Sequence, residues 1–293
     1  MGQYSIKEIE SLSGVKAHTI RIWEQRYGFL KPERTDTNIR YYSDEQLKLI
    51  LNISTLNRTG MKISKIACLE EAELKREVQK LSEVNVEPNA QLDALIHCMI
   101  DFDEALFEKT LSCAILKHGF EQAFTGLIFP LMLRTGVLWT SGVVRPAQEH
   151  FMTNLVRRKI STAIDNQYVN KNDDTRKFVL FLPEGERHEL LLLFTEYLLR
   201  KNNHQVAYIG NSLPFNDIDF INNSFKPDYL VTYFTVPLPE ISLQDYINKL
   251  SLSFLNRKII IGGKQLLQQS IQLPANTQSV CCMEELLSFI AAL

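Results

Sequence analysis

Along the first sixty residues apolar positions recur at three- and four-residue intervals, the spacing that lines one face of a helix. Ser5 and Glu8 stand as a capping box, so a helix is expected from Ile6, with Ile6, Ile9 and Leu12 facing inward. Ser13-Gly14-Val15 reads as a tight turn into a second helix, Lys16 to Tyr27. There Ile20 and Trp23 face in, while His18, Thr19, Arg21, Gln25 and Arg26 face out. Gly28 ends the helix, because glycine takes the left-handed conformation at a helix C-terminus without steric cost. Phe29 and Leu30 tack the next turn down, and the polar run 31–42 closes into a short β-ribbon. Helices are expected again over Asp44–Asn57 and from Lys62 to about Leu81, with Gly60 between them. The second is too short in heptads for a long coiled coil. Val86-Glu87-Pro88-Asn89 reads as a linker, since proline biases its predecessor away from helix.

Residues 89–170 keep the helical period, as in Leu92, Leu95, Ile96 and Met99. Helices are expected over Ala90–Asp101, Asp103–Leu116, Phe120–Leu138 and Pro146–Val169; short connections between four such helices imply a four-helix bundle. From residue 176 the pattern changes. The apolar runs 178–182, 206–210, 229–234, 258–262 and 279–282 read as buried strands. Helical stretches separate them: His188–Lys201, Asn216–Phe225, Ser242–Phe254, a short one after Gly263, and Met283–Ala292. Strands alternating with helices imply a parallel sheet, whose ligands bind beyond the strand C-termini.

At 293 residues the chain has room for two or three domains, and 45% hydrophobic residues suffice for ordinary cores. No apolar run reaches the ~18–20 residues of a membrane span, and the N-terminus lacks an export signal, so a cytoplasmic location is expected. Five cysteines at irregular spacing make neither a disulfide framework nor a zinc site, and Cys281-Cys282 are expected inside the last strand. The net charge of −2 is unevenly spread. Residues 1–66 hold 11 Lys/Arg against 7 Asp/Glu, whereas the remainder holds 21 against 27. A basic excess at one end suits a polyanion there.

The stretch Tyr4–Leu69 resembles the winged helix-turn-helix domain of MerR-family transcriptional regulators. The resemblance rests on Tyr4-Ser5-Ile6, Ser13-Gly14-Val15, Thr19-Ile20-Arg21, Trp23-Glu24, Tyr27-Gly28, Leu30, Pro32, Arg34, Arg40-Tyr41-Tyr42 and Leu47, in order and in spacing. It implies double-stranded promoter DNA as partner. The DNA-contacting set would then be His18, Thr19, Arg21, Arg26 and Tyr27 on the helix, with Arg34, Asn38, Arg40 and Tyr41 on the wing. Tyr41 and Tyr42 would divide between packing and the DNA backbone. It also implies a homo-oligomer, dimer or tetramer, assembled through the domains beyond the DNA-binding one.

A second resemblance covers the rest. Trp139, nine residues, then Glu149-His150 in the helical region, followed by Glu186-Arg187-His188 after the first strand, is similar to the cobalamin-binding module of the CarH/LitR class of light-responsive repressors. The likeness implies His188 as lower ligand to the cobalt of cobalamin, with Glu186 holding its other ring nitrogen. Trp139, Glu149 and His150 would cap the upper face, where an adenosyl group sits in adenosylcobalamin. Gly262-Gly263 would let backbone approach the nucleotide tail. Two positions depart from that pattern. Leu191 stands where the family has glycine, and Tyr233 stands where it has a small hydroxyl. Weak cobalamin binding, another ligand, and a role in assembly alone all stay open.

The expected architecture is multi-domain. A winged helix-turn-helix covers residues 1–84, a four-helix bundle 89–170, and an α/β flavodoxin-like (Rossmann-type) parallel sheet 176–293. A DNA-binding repressor with a cobalamin-like sensor is the function implied. A cobalamin-dependent methyltransferase or mutase subunit is the enzymatic alternative, and it leaves residues 4–69 without a role. A ligand-free regulator whose second half binds a partner protein is the other.

Overall fold

The computed structural model describes residues 3–28, 30–34, 39–58, 60–70, 73–74, 76–77, 88–140, 144–170 and 172–293. Phe29, Asn38 and the expected linker at Val86-Glu87 lie outside them, as does the side chain of Leu12. The chain divides into two compact units, Met1–Leu155 and Val156–Leu293.

The first unit opens with strand β1 (Gln3–Ser5) and helix α1 (Ile6–Ser13). The expected capping box is formed, since the Ser5 hydroxyl accepts from the Glu8 N–H and the Glu8 carboxylate accepts from the Ser5 N–H. Helix α2 (Ala17–Tyr27) comes after the turn, and Gly28 closes it at φ 68° with its N–H on the Glu24 carbonyl. Strands β2 (Glu33–Arg34) and β3 (Arg40–Ser43) form the ribbon, and β1 pairs along the other side of β3. That third strand was not expected; its one buried tyrosine, Tyr4, is too short a signal. Helix α3 (Asp44–Arg58) supplies Leu47, Ile50 and Leu51 to a core shared with Ile9, Ile20, Trp23 and Tyr42.

The single helix expected from Lys62 to Leu81 does not form. Helix α4 stops after Ile63–Ile66, and residues 67–70 leave the helical path. The Glu73 carboxylate accepts from the Glu70 N–H, which starts a new turn at Glu70 rather than extending the old one. Helix α5 (Pro88–Asp101) begins at the proline expected in a linker, because proline's missing N–H costs nothing in a first turn. Helix α6 (Glu104–His118) is capped by Asp103, whose carboxylate accepts from the Leu106 N–H. Helix α7 (Phe120–Ala123) runs through one π-turn (Phe124–Ile128) into α8 (Phe129–Thr140). At that turn the Thr125 hydroxyl donates back to the Glu121 carbonyl. Helix α9 (Pro146–Asp165) ends four residues before the expected Val169.

The second unit carries a five-stranded parallel sheet. Its strands are β4 (Lys177–Pro183), β5 (Gln205–Leu213), β6 (Tyr229–Tyr233), β7 (Lys258–Gly262) and β8 (Thr277–Val280), in the order β5-β4-β6-β7-β8. This flavodoxin-like order reverses between β4 and β6, so the crevice beyond their C-termini is the place for a ligand. Strand β4 is buried from Phe178 to Pro183, as a strand covered on both faces must be. Helices α10 (Leu190–Lys201), α11 (Phe215–Phe225), α12 (Leu243–Ser253), α13 (Lys264–Gln268) and α14 (Met283–Ala291) complete the unit. On one face Ile247, Leu250 and Phe254 of the α12 segment join Val179, Phe181, Leu230, Ile259 and Ile261 in one apolar cluster. Cys281 and Cys282 lie past the last strand, both exposed, not inside it. The Glu285 carboxylate takes the Cys281 N–H at 2.7 Å, so the chain turns into α14 there. No helix among the described residues is long and apolar enough to cross a membrane.

One buried group makes the first unit acid-sensitive. On α5 the Nε2 of His97 is sealed from solvent with no hydrogen-bond partner among the described residues. Burial lowers its pKa from the ordinary 6.5 to about 4, with Asp101 opposing and Lys48 and Arg134 adding to the shift. The unfolded chain therefore binds a proton that the folded chain refuses, and stability falls as pH drops from about 6.5 to about 4. At ~1.4 kcal/mol per pKa unit, the loss is roughly 3 kcal/mol. Urea unfolding at stepped pH should show this slope in the wild type, and His97→Gln should flatten it.

Candidate functional site

The first candidate surface is the outer face of α2. Ile20 and Trp23 are buried and fix the helix on its unit, which leaves His18, Arg21, Ile22, Gln25 and Arg26 exposed. Thr19 is half-buried, its hydroxyl 3.3 Å from the His18 ring. The Arg26 guanidinium lies 5.7 Å from the Tyr27 ring centre. Beside the helix, β2 and β3 place Glu33 opposite Tyr41 and Arg34 opposite Arg40. Arg34 is exposed. Tyr42 is fully buried, while Tyr41 is half-buried with its hydroxyl on the Glu33 carboxylate. Arg40 Nε sits 3.1 and 3.2 Å from the two Glu24 oxygens, and this half-buried ion pair fastens the ribbon to α2. Glu24 was legible only as a matching residue; its long-range partner left no sequence signal.

Further along the first unit, Trp139 ends α8 half-exposed. Glu149 and His150 sit in the first turns of α9. One Glu149 oxygen accepts from the Thr153 hydroxyl at 2.6 Å, and the other lies 3.5 Å from His150 Nε2. The His150 ring is largely exposed.

The second candidate surface lies at the C-terminal edge of the parallel sheet, in the second unit. Pro183 ends β4, and the loop Glu184–Glu189 leads to α10. Glu186 is 1% exposed, yet both its oxygens are occupied. One accepts from the Arg187 N–H, the His188 N–H and His188 Nδ1, the last at 2.6 Å. The other accepts from the Thr235 and Val236 N–H groups, at 2.6 and 3.0 Å, just beyond β6. Burial pushes the Glu186 carboxyl up, but the hydrogen bonds from the His188 side chain and these backbone groups outweigh it and hold the carboxyl below its ordinary value. His188 is half-exposed, with Nδ1 turned to the Glu186 carboxylate.

Glu189 gathers a second polar group that the sequence did not reveal. Its carboxylate meets Arg157 at 2.8 Å, the Tyr208 hydroxyl at 3.2 Å and the Asn211 amide at 3.1 Å. Burial, then Glu189, raises the Tyr208 pKa.

Gly262 ends β7 at the same edge, and Gly263 follows it as the N-cap of α13. A Cβ on Gly262 would come within 2.7 Å of the Tyr233 ring, and one on Gly263 within 2.4 Å of the Phe234 carbonyl oxygen. Tyr233 is buried, and its hydroxyl lies 2.8 Å from the Thr195 hydroxyl on α10.

Residues 4–73 match the family described as MerR HTH family regulatory protein, and residues 91–163 match the B12 binding domain. The chain joins a MerR-type helix-turn-helix domain to a B12-binding domain. It is 26% identical over 236 residues to the HTH-type transcriptional repressor CarH of Myxococcus xanthus, covering 78% of this chain and 77% of that one. It is 24% identical over 231 residues to the repressor CarA of the same organism, covering 78% and 75%. In fold it is similar to the monomethylamine corrinoid protein of Methanosarcina barkeri, at TM-score 0.55 and 14% identity, covering 71% of this chain and all of that one.

The B12-binding assignment can be tested against the residues present. His188 and Glu186 fit an axial ligand and its orienting carboxylate, because the carboxylate fixes the tautomer that leaves Nε2 for a metal. The glycine pair does not fit an inserted nucleotide tail, because the space beside it is filled by Tyr233 and Phe234.

Glu186→Ala would strand the half-buried Thr235 and Val236 N–H groups and release the His188 loop. A loss of about 3 kcal/mol is expected, read as a lower melting temperature of the α/β unit. Because the carboxyl is held below its ordinary value, its contribution is present at neutral pH and is lost as pH falls through that lowered value.

Proposed function

We propose that the MerR-type domain reads promoter DNA through α2 and that the rest of the chain senses a corrinoid and controls assembly, so that the protein is a cytoplasmic transcriptional repressor. What carries this reading is a basic, solvent-facing helix face backed by buried Ile20 and Trp23, within residues matched to the MerR-type family. In this reading Arg21 reaches base edges, His18, Thr19, Arg26 and Tyr27 contact base or backbone, and Arg34, Asn38 and Tyr41 hold flanking phosphates. Arg40 holds phosphate too, and through Glu24 it keeps the ribbon at its station. A single small domain of this kind gives limited affinity, so the protein acts as a dimer or tetramer on repeated half-sites.

The working division is 1–84 for DNA, 89–170 as a four-helix cap, and 176–293 for the lower side of the ligand. Trp139, Glu149 and His150 serve an upper adenosyl group, while His188 with Glu186 serves the metal. Gly262 and Gly263, read from sequence as tail contacts, act first in strand packing. Ligand control requires a ligand that binds two assembly states with different affinity. A methyltransferase or mutase subunit has no use for residues 4–73, and the relatives CarH and CarA are repressors.

Three substitutions test the two halves. Arg21→Ala should cost about 1–3 kcal/mol in operator affinity and relax sequence preference, whereas Arg34→Ala should weaken all sequences alike and shallow the salt slope by about one. Fluorescence anisotropy across a salt series measures both. Unchanged affinity in both variants overturns the DNA-reading assignment. His188→Ala should abolish the absorbance change that adenosylcobalamin or adenosylcobinamide gives in the dark, and leave DNA affinity of the ligand-free protein unchanged.

A further inference from the structure

A histidine can hold a corrin cobalt from below only if the base of the nucleotide tail leaves that face. The displaced tail, a flat base on a ribose phosphate, then needs room beneath the histidine. By the resemblance that Leu191, Tyr233 and Gly262-Gly263 bear on, that room would lie between the first turns of α10, after His188, and the C-terminal ends of β6 and β7.

The space is already occupied. The Tyr233 ring lies over Gly262, so close that a single added Cβ there would stand 2.7 Å from two ring carbons. Its hydroxyl crosses to the Thr195 hydroxyl on α10 at 2.8 Å, and Thr195 donates back to the Leu191 carbonyl at 2.9 Å or turns to Tyr233. Tyr233 is 2% exposed, and the α10 residues 192–199 are all buried. On the other side Phe234 is fully buried against Gly263, and its N–H donates to the Gly262 carbonyl at 2.8 Å. An aromatic ring packed at interior density cannot share its volume with a second flat base.

Resting on the corrinoid reading above, we propose that Tyr233 is an internal plug, so that a corrinoid held by His188 keeps any nucleotide tail outside the α/β unit. The preferred ligand class is therefore a corrinoid with no tail to displace or bury. Tyr233 is the specificity-determining residue, with Thr195 holding its ring in place.

The test uses the full chain in the dark, titrated with adenosylcobinamide, which lacks the tail, and with adenosylcobalamin, read by the absorbance change at cobalt. The wild type should bind adenosylcobinamide at least tenfold more tightly. Tyr233→Ser should shift the ratio at least fivefold toward adenosylcobalamin, and Tyr233→Phe, which keeps the ring, should leave it at the wild-type value. Circular dichroism checks that each variant is folded, and if Tyr233→Ser is not, the wild-type ratio decides alone. A wild type that binds adenosylcobalamin as tightly as adenosylcobinamide overturns the plug and leaves the corrinoid reading standing. So does a ratio that a folded Tyr233→Ser leaves unmoved. Failure of both corrinoids to bind the wild type and Tyr233→Ser overturns the corrinoid reading itself, and the plug with it.

Discussion

Glu186 carries a negative charge where almost no water reaches it, and such a charge is tolerated only when donors surround it. Five donors do: two backbone N–H groups and a ring nitrogen from its own loop, and two backbone N–H groups from the far side of the β4–β6 crevice. The requirement runs both ways. The carboxylate needs the Thr235 and Val236 backbone at hydrogen-bond distance, so it fixes where β6 ends relative to β4. It needs His188 Nδ1 as a donor, so it fixes the tautomer of the one exposed imidazole at this edge. The end of β6, the path of the loop and the orientation of the imidazole are thus tied to one buried charge.

The same economy appears in the MerR-type domain at a smaller scale. Arg40 and Glu24 join a ribbon to a helix sixteen residues away in sequence, and the pair is half-buried, where solvent screens it less than at a fully exposed site. Arg21, on the exposed face, has no such structural duty among the described residues. Local capping contributes the rest, since Ser5 with Glu8 and Gly28 with the Glu24 carbonyl close helix ends that would otherwise leave backbone groups without partners.

These differences explain what was legible in the sequence. Features set by short spacing could be read: the Ser5–Glu8 box, the inward pair Ile20 and Trp23, the Gly28 stop, and five apolar runs that became the parallel strands, although the two edge strands β5 and β8 are only partly buried. The His188–Glu186 pair was legible for the same reason, being two residues apart. Features decided by competition between near-equal local choices were not. Glu73 capping Glu70 broke a helix whose apolar pattern would have continued, and Pro88 opened a helix where its other common role is to end one. Cys281 left its strand because Glu285, four residues on, took its N–H. Features that depend on tertiary proximity left no trace at all, as with Glu189 meeting Arg157, Tyr208 and Asn211, or Glu186 meeting Thr235.

Tyr233 and Gly262 show why a motif and its occupancy are separate matters. Read alone, the glycine pair at the end of β7 is a place where backbone makes room for something. The structure supplies that something from the chain itself: a ring on the neighbouring strand, paired in register with Gly262. Glycine is then required at 262 whether or not a ligand ever comes, because any larger residue would collide with Tyr233. The requirement at 263 comes from the Phe234 backbone and a φ of 106°. A glycine pair kept for packing cannot also serve as a measure of ligand binding. The residue that decides is the one with freedom to be small, and here it is a buried tyrosine whose hydroxyl has its partner on α10 rather than in a ligand. The His188 side of the edge is held independently, because its ring nitrogen is on Glu186 and not on anything beside Gly262. The two ends of this edge therefore depend on different residues, Glu186 and His188 on the loop after β4, and Tyr233 and Gly262 at the ends of β6 and β7.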